Sequence, residues 1–177
     1  MEDQLILVNE KDEMVGIGSK IKIHREGLLH RAFSIFIFNS RGELLLQRRA
    51  FSKYHSPGLW SNTCCGHPRP EEQILVAAQR RLKNEMGLAC PLKEVGSFIY
   101  RVDVGDGLIE HEFDYLLIGH SEADPILNRE EAIDSRWGSL AALGTEMDTC
   151  PKEFTCWLKM VVGSRLVDFR QSGGTLE

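Results

Sequence analysis

The residues with the clearest chemical potential lie in one short segment near the middle of the chain, residues 62–68, which read NTCCGHP. Side chains alternate faces on an extended backbone, so Cys65 and His67 share one face and Cys64 points to the other. Gly66 allows a substrate or metal to approach the backbone closely. A thiol beside an imidazole is a candidate reactive pair. The alternative is that Cys65 is a small buried hydrophobe and His67 a turn residue.

A second candidate group is a predicted strand rich in carboxylates. Glu110 and Glu112 are two residues apart and face the same way, and Asp114 continues that face. Phe113 and Tyr115 point to the other face. Such carboxylates could bind a metal ion or share acid–base chemistry. The alternative is the solvated polar face of an antiparallel strand.

Histidines could complete a metal site. His24, His30 and His67, together with Glu110 and Glu112, would form a mixed nitrogen and oxygen ligand set. Such a set suits Zn²⁺, Mn²⁺ or Fe²⁺ better than Mg²⁺. The spacing of the first two histidines matches no short metal motif, so each histidine taken singly is also compatible with an ordinary core or surface position.

Several cations are candidates for binding a phosphate group. Four of them converging would bind a diphosphate well, with arginine as a fork and lysine as a point charge. The alternative for each is an ordinary solvated surface position. The candidates are Lys20, Arg48, Arg49, Lys53, Arg80 and Arg81.

Hydrophobic patterning predicts the strands that must position these groups. Residues 19–30 show no clear period and are interpreted as irregular with some strand, and residues 49–59 as a loop. The predicted strands are residues 5–9 and 14–17, which form a hairpin, then 33–38, 43–48, 95–104, 110–119 and 136–138.

The clearest helix is predicted for residues 70–86, with Gly87 as its C-terminal cap. Its first turn would contain Pro70, Glu71 and Glu72, and Arg81 would lie beside Glu85. The apolar stripe would consist of Leu75, Ala78, Leu82 and Met86. A second helix is predicted for residues 151–162, continuing towards residue 169, with a frayed tail at 173–177. Strands and helices in this order predict an α+β fold.

Composition limits the possible function classes. The chain has 177 residues, of which 42% are apolar and 27% charged, as expected for one soluble domain. No apolar run is long enough for a membrane span, and the acidic start shows no signal peptide. Five irregularly spaced cysteines suit a reducing cytoplasm. The net charge of −5 without a basic tract makes nucleic acid an unexpected partner. The sequence indicates no oligomeric state.

A longer pattern starts at Gly66, continues through Glu72 and ends with RRLKNEMGL at residues 80–88. It resembles the Nudix box, G-x5-E-x7-R-E-U-x-E-E-x-G-U, in which U is aliphatic. Arg81 and Asn84 stand where Nudix hydrolases carry glutamates that hold Mg²⁺ and activate water. The resemblance therefore implies the Nudix fold, an α/β/α sandwich with a mixed sheet flanked by helices, but weakens the expectation of hydrolysis.

Together with the segments LLHRAFS at 28–34 and LLQRR at 45–49, the NTCCGHP segment resembles type I isopentenyl-diphosphate isomerases. The resemblance covers roughly residues 5–160 and implies one Nudix-like isomerase domain over residues 1–177. It implies reversible interconversion of isopentenyl and dimethylallyl diphosphate. There are two alternatives: a Nudix hydrolase of a nucleoside diphosphate derivative, and a binding module without catalysis.

The resemblance also implies roles for individual residues. The matching catalytic residues are Cys65, Glu112, Tyr100 and Trp157. The matching ligands of one divalent ion, Mn²⁺ or Zn²⁺, are His24, His30, His67, Glu110 and Glu112. Glu85 matches the carboxylate that helps to bind Mg²⁺ with the substrate, and Lys20, Arg49, Lys53 and Arg81 match the cations that bind the diphosphate.

Overall fold

A computed structural model describes residues 4–164 and shows a mixed β-sheet between helices, as predicted. The strands are β1 (Gln4–Val8), β2 (Met14–Ser19), β3 (His30–Phe38), β4 (Glu43–Arg49), β5 (Trp60–Ser61), β6 (Cys64–Gly66), β7 (Leu92–Gly105), β8 (Leu108–His120) and β9 (Ala132–Ser139). The helices are α1 (Lys20–Glu26), α2 (Ile74–Met86), α3 (Leu140–Thr149) and α4 (Cys156–Ser164), with a 3₁₀ turn at Pro151–Glu153.

Strand β3 is the centre of the sheet. It pairs in parallel with β8 over its whole length, and its other edge pairs antiparallel with β1, β6 and β4 in turn. Because side chains alternate along β3, successive residues supply two separate cores. Phe36 packs on the side of α3 and α4, whereas Phe33 and Ile35 pack on the side of α2.

The two adjacent cysteines show the same alternation. Cys64 is fully buried in the core beneath α2, whereas Cys65 packs against the core beneath α4. The prediction that they face opposite sides is therefore confirmed. The next residue, Gly66, lies in close contact with its neighbours. A Cβ atom there would be 3.0 Å from both the Phe33 ring and the Arg81 side chain.

Helix α2 is shorter than predicted. It begins at Ile74, because Glu71 has a left-handed φ of 67° that ends the preceding turn and is incompatible with helix. The residues assigned to its first turn therefore precede it. Leu75 is exposed and does not belong to the apolar face. Gly87 caps the helix with a φ of 65°, as predicted.

The structure differs from the sequence predictions in three further places. Residues 19–30 are not irregular, because α1 forms there and buries Ile23 and His24 before Gly27 ends it in a left-handed conformation. Helix α3 was not predicted at all. The single helix predicted for 151–162 is instead the 3₁₀ turn followed by α4. Its predicted continuation to 169 and the predicted frayed tail lie outside the described residues.

Candidate active site

A cavity of about 690 Å³ opens between the sheet, α2 and α4. Every residue to which the resemblance assigns a role lines it, except His24 and His30. The lining residues from the prediction are Lys20, Arg49, Lys53, Cys65, His67, Arg81, Glu85, Tyr100, Glu110, Glu112 and Trp157. The two remaining histidines are fully buried.

Four of the predicted metal ligands come together at one end of this cavity. Ligand atoms of His24, His30, His67 and Glu110 all lie within 4.8 Å of one another. The parallel register of β3 and β8 places His30 opposite Glu112, two residues from Glu110 on the same strand. A surface position is wrong for His24 and His30, which are fully buried.

The ring orientations of two histidines are fixed by backbone carbonyls. His24 Nδ1 lies 2.7 Å from the carbonyl oxygen of Lys20, and His30 Nδ1 lies 2.9 Å from that of Leu28. A carbonyl oxygen only accepts, so each Nδ1 carries the proton. Each Nε2 then has its lone pair available for a cation, as in known metal sites.

The remaining atoms of the cluster also fit a divalent cation. His30 Nε2 and Glu110 Oε2 are buried and have no hydrogen-bond partner. Burial lowers the pKa of His67 to about 4, which keeps this imidazole neutral. Burial opposes ionisation of Glu110, but the adjacent imidazoles of His24 and His55 outweigh it and lower the pKa of this carboxyl. Imidazole nitrogens around a carboxylate can hold such an ion.

Glu112 connects this cluster to the open part of the cavity. Its Oε1 lies 3.1 Å from His67 Nε2, and its Oε2 accepts a 2.6 Å hydrogen bond from the hydroxyl of Tyr100. Burial and the negative charge of Glu112 raise the pKa of Tyr100 well above its usual range. Glu112 therefore faces the cluster with one oxygen and a phenol donor with the other.

Cys65 lies on the same face of the sheet but across β3 from Glu112, since β6 and β8 pair with opposite edges of β3. Its Sγ donates to Asn62 Oδ1 at 3.2 Å and lies 3.5 Å from Ser34 Oγ. Burial, reinforced by the nearby Asp114 carboxyl, raises the pKa of Cys65 to about 12. At neutral pH this group is a thiol, which suits proton transfer better than nucleophilic attack.

A buried hydrogen-bond chain joins Cys65 to Trp157. The indole Nε1 of Trp157 donates to Ser61 Oγ at 2.9 Å, and Ser61 Oγ donates to Asn62 Oδ1 at 3.0 Å. The amide nitrogen of Asn62 is held by the carbonyl oxygens of Ile35 and Cys64. Its oxygen must therefore face the thiol and the hydroxyl.

The predicted phosphate-binding cations line the same cavity, and several of them already have partners. Lys53 is paired with Glu131, and Arg81 is paired with Glu85 and, at 3.5 Å, with Glu131. Burial disfavours the charged form of Arg81, but these carboxylates outweigh it and raise its pKa. Arg49 is buried and donates to two loop carbonyls, with its guanidinium 5.3 Å from the centroid of the Trp157 ring.

Comparisons with known proteins agree with this arrangement. A family model described as NUDIX domain matches residues 28–158. A protein from Aromatoleum aromaticum named isopentenyl-diphosphate Delta-isomerase 2 is 49% identical over 98% of this chain and 92% of its own. A protein from Serratia proteamaculans named isopentenyl-diphosphate Delta-isomerase is 51% identical over 92% of this chain and 90% of its own.

The chain belongs to the isopentenyl-diphosphate Delta-isomerase family. It is an enzyme, an isomerase built on the Nudix fold. Nudix enzymes use a divalent metal, and the histidine and glutamate cluster provides a place for one. These relatives favour the isomerase over the hydrolase alternative.

Solved structures with the same fold include the DR0079 protein of Deinococcus radiodurans. It superposes with a TM-score of 0.77 at 23% identity, covering 91% of this chain and 98% of its own. A MutT protein from Methanosarcina mazei gives a TM-score of 0.65 at 20% identity, covering 82% and 96%. At such low identities the likeness establishes the fold alone. Within residues 4–164 every helix of this isomerase is too short or too polar to cross a membrane.

Sequence reasoning missed several residues of the isomerase site. His55 contacts Glu110, Glu131 pairs with two of the cations, and Asn62 accepts from the thiol. His55 lies in a loop and Glu131 just before β9, so no periodicity indicates either residue. Asn62 belongs to the NTCCGHP segment. Its position three residues before Cys65 was the one feature of the sequence that could have indicated a contact with the thiol.

Proposed function

We propose that this isomerase interconverts isopentenyl diphosphate and dimethylallyl diphosphate, moving the double bond through a tertiary carbocation. The supporting observation is that Cys65 and Glu112 approach one cavity from opposite edges of β3. An allylic shift needs one proton added and another removed at separate carbons. Two proton-transfer groups placed apart match that requirement.

The protonation states of the two groups are complementary. Cys65 is a thiol with a raised pKa, and Glu112 is a carboxylate whose pKa is lowered. Burial and Glu110 oppose ionisation of Glu112, but the adjacent imidazoles of His30 and His67 outweigh them. Since the reaction is reversible, each group donates a proton in one direction and accepts it in the other. Tyr100 holds Glu112 in place through its hydroxyl.

Trp157 is proposed to face the hydrocarbon part of the substrate. An unactivated alkene is a weak base, so its protonated form needs a site that excludes water. An indole ring attracts a nearby cation through its negative π face. The hydrogen bond from Trp157 to Ser61 fixes the ring in the cavity wall.

We propose that the cluster of His24, His30, His67 and Glu110 binds Mn²⁺ or Zn²⁺, with Glu112 as a further ligand. The ligands of this cluster are mainly imidazoles, which suit these metals. When bound, this ion would orient Glu112 and set the pKa of its carboxyl.

In the same cavity, Glu85 would help to hold Mg²⁺ that accompanies the diphosphate, and Lys20, Arg49, Lys53 and Arg81 would bind the phosphate oxygens. All five of these residues line the cavity. The substrate is thus a small isoprenoid diphosphate, held at its charged end by cations that this acidic protein gathers locally.

We further propose that residues 1–177 form a single domain that works in the cytoplasm. All nine strands of the described part belong to one sheet. The five cysteines, all within residues 4–164, are free thiols, as a reducing compartment favours.

Incubation with isopentenyl diphosphate in deuterated water tests the reaction. The proposal predicts dimethylallyl diphosphate carrying deuterium on carbon, without release of phosphate. Release of phosphate from nucleoside diphosphate derivatives, without exchange on carbon, would support the hydrolase alternative. Absence of both, in the presence of Mg²⁺ and Mn²⁺ or Zn²⁺, would indicate a binding module.

A further inference from the structure

His55 is a buried histidine with no part in the proposed proton transfers. It lies in the loop between β4 and β5, and 6% of the residue is exposed. Its Nε2 lies 2.8 Å from Oε1 of Glu110. A carboxylate oxygen only accepts hydrogen bonds, so the Nε2 of His55 carries the proton and donates it.

The two oxygens of Glu110 therefore have different surroundings. Oε1 is held by His55, whereas Oε2 has no hydrogen-bond partner and lies 3.2 Å from His24 Nε2. The free oxygen belongs to the group of ligand atoms within 4.8 Å of one another, and His55 stands outside that group. Donors to the outer oxygen of a ligating carboxylate fix its orientation and typically change metal affinity.

The position of His55 is itself fixed by the fold. Arg49 Nη2 donates to the carbonyl oxygen of His55 at 3.0 Å, and Arg49 Nε donates to that of Ser56 at 3.1 Å. The imidazole packs edge-on against Trp157, with ring centroids 5.8 Å apart. The buried arginine thus holds the loop, and the indole ring limits the rotation of the imidazole.

We propose that His55 is a positioning residue of the metal site, which holds the Glu110 carboxylate so that Oε2 faces a divalent cation. The inference rests on the proposed metal site and deepens it. It requires His55 to act through Glu110 and not to touch the substrate. Loss of the donor should therefore weaken metal binding even without substrate.

Titration of the full-length, chelator-stripped protein with Mn²⁺ tests this inference, with free Mn²⁺ measured by electron paramagnetic resonance. His55→Leu removes the donor and should weaken Mn²⁺ binding about 10- to 100-fold. His55→Gln places an amide N–H near the position of Nε2 and should restore much of the affinity. His120→Leu, at the exposed end of β8, is the matched control and should bind like the unaltered chain.

Three outcomes would overturn the inference. Equal Mn²⁺ affinity of His55→Leu and the unaltered chain overturns the role of His55 alone. An unaltered chain that binds no Mn²⁺ overturns the metal site together with it. If His55→Leu does not fold, His55→Gln and the shorter His55→Asn decide. Weaker Mn²⁺ binding by His55→Asn than by His55→Gln supports the inference. Equal Mn²⁺ affinity of these two variants contradicts it.

Discussion

The cluster of metal ligands (the metal end) and the group formed by Lys53, Arg81 and their carboxylate partners (the cation end) are organised in opposite ways. At the metal end, neighbouring groups satisfy the outer atoms of the ligands and leave inner atoms such as His30 Nε2 and Glu110 Oε2 without partners. At the cation end, Lys53 and Arg81 already have carboxylate partners. One end presents unsatisfied atoms, and the other presents ion pairs.

This difference indicates two kinds of binding. The metal end is largely buried, with His24, His30 and Glu110 at most 3% exposed. The cation end is partly exposed, with 24% of the Arg81 side chain and 21% of the Glu131 side chain accessible. A diphosphate must take over cations that are now paired with carboxylates. We therefore expect that cation binding at the metal end depends on preorganised ligand geometry. Diphosphate binding at the cation end should depend on exchange of carboxylate partners for phosphate oxygens.

The largest expected effect concerns the two adjacent cysteines. Cys65→Ala should reduce turnover of isopentenyl diphosphate by about 10²- to 10⁴-fold, because it removes a proton-transfer group. Cys64→Ala is the matched control, since Cys64 faces the core beneath α2. It should keep near-normal turnover and lose about 1 kcal/mol of stability. Equal losses of turnover in both variants would contradict the assignment of Cys65.

Stability of the metal-free protein should fall in mild acid because of His67. Its folded pKa of about 4 lies below the usual 6.5, so between these values the unfolded chain binds more protons. Stability from this residue is present above pH 6.5 and decreases towards pH 4, by at most about 3 kcal/mol.

Urea denaturation across this pH range, with chelator present, measures the effect of His67. His67→Gln should lose this part of the pH dependence, whereas His120→Gln should retain it. The same slope in both variants would show that His67 titrates normally.

The cation end should respond mainly in substrate affinity. Arg81→Met removes a charge-assisted contact to the diphosphate and should raise KM about 10-fold or more, with a smaller change in kcat. Arg41→Met is the control, because Arg41 is exposed and pairs with Glu43 outside the cavity. Steady-state kinetics with isopentenyl diphosphate measures both. An unchanged KM in Arg81→Met would place the diphosphate elsewhere.

The smallest expected effect concerns the ring of Trp157. Trp157→Phe keeps a π face and should retain several-fold more turnover than Trp157→Leu, as a cation–π contribution of about 1 kcal/mol implies. Both variants lose the hydrogen bond to Ser61, so that loss cancels in the comparison. Equal turnover would assign Trp157 a packing role only.

Most residues of the candidate site could be named from the sequence, but their burial and surroundings could not. The acidic strand carried two interpretations, and the solvated one is wrong, because Glu110, Glu112 and Asp114 are all buried. Period-two alternation shows which side chains share a face, but it does not show what covers that face. Helix α1 was missed for a similar reason. Its seven residues are stabilised by burying Ile23 and His24, which local propensity does not reveal.

The sequence by itself determined features that depend on neighbouring residues. It placed Cys64 and Cys65 on opposite faces, ended α2 at Gly87 and put Arg81 beside Glu85. These follow from backbone geometry over a few residues. Only the tertiary structure decided that His24, His30, His67 and Glu110 meet, that Glu131 joins the cations and that His55 supports Glu110. Those contacts depend on strand register and loop packing across distant segments, which no local pattern specifies.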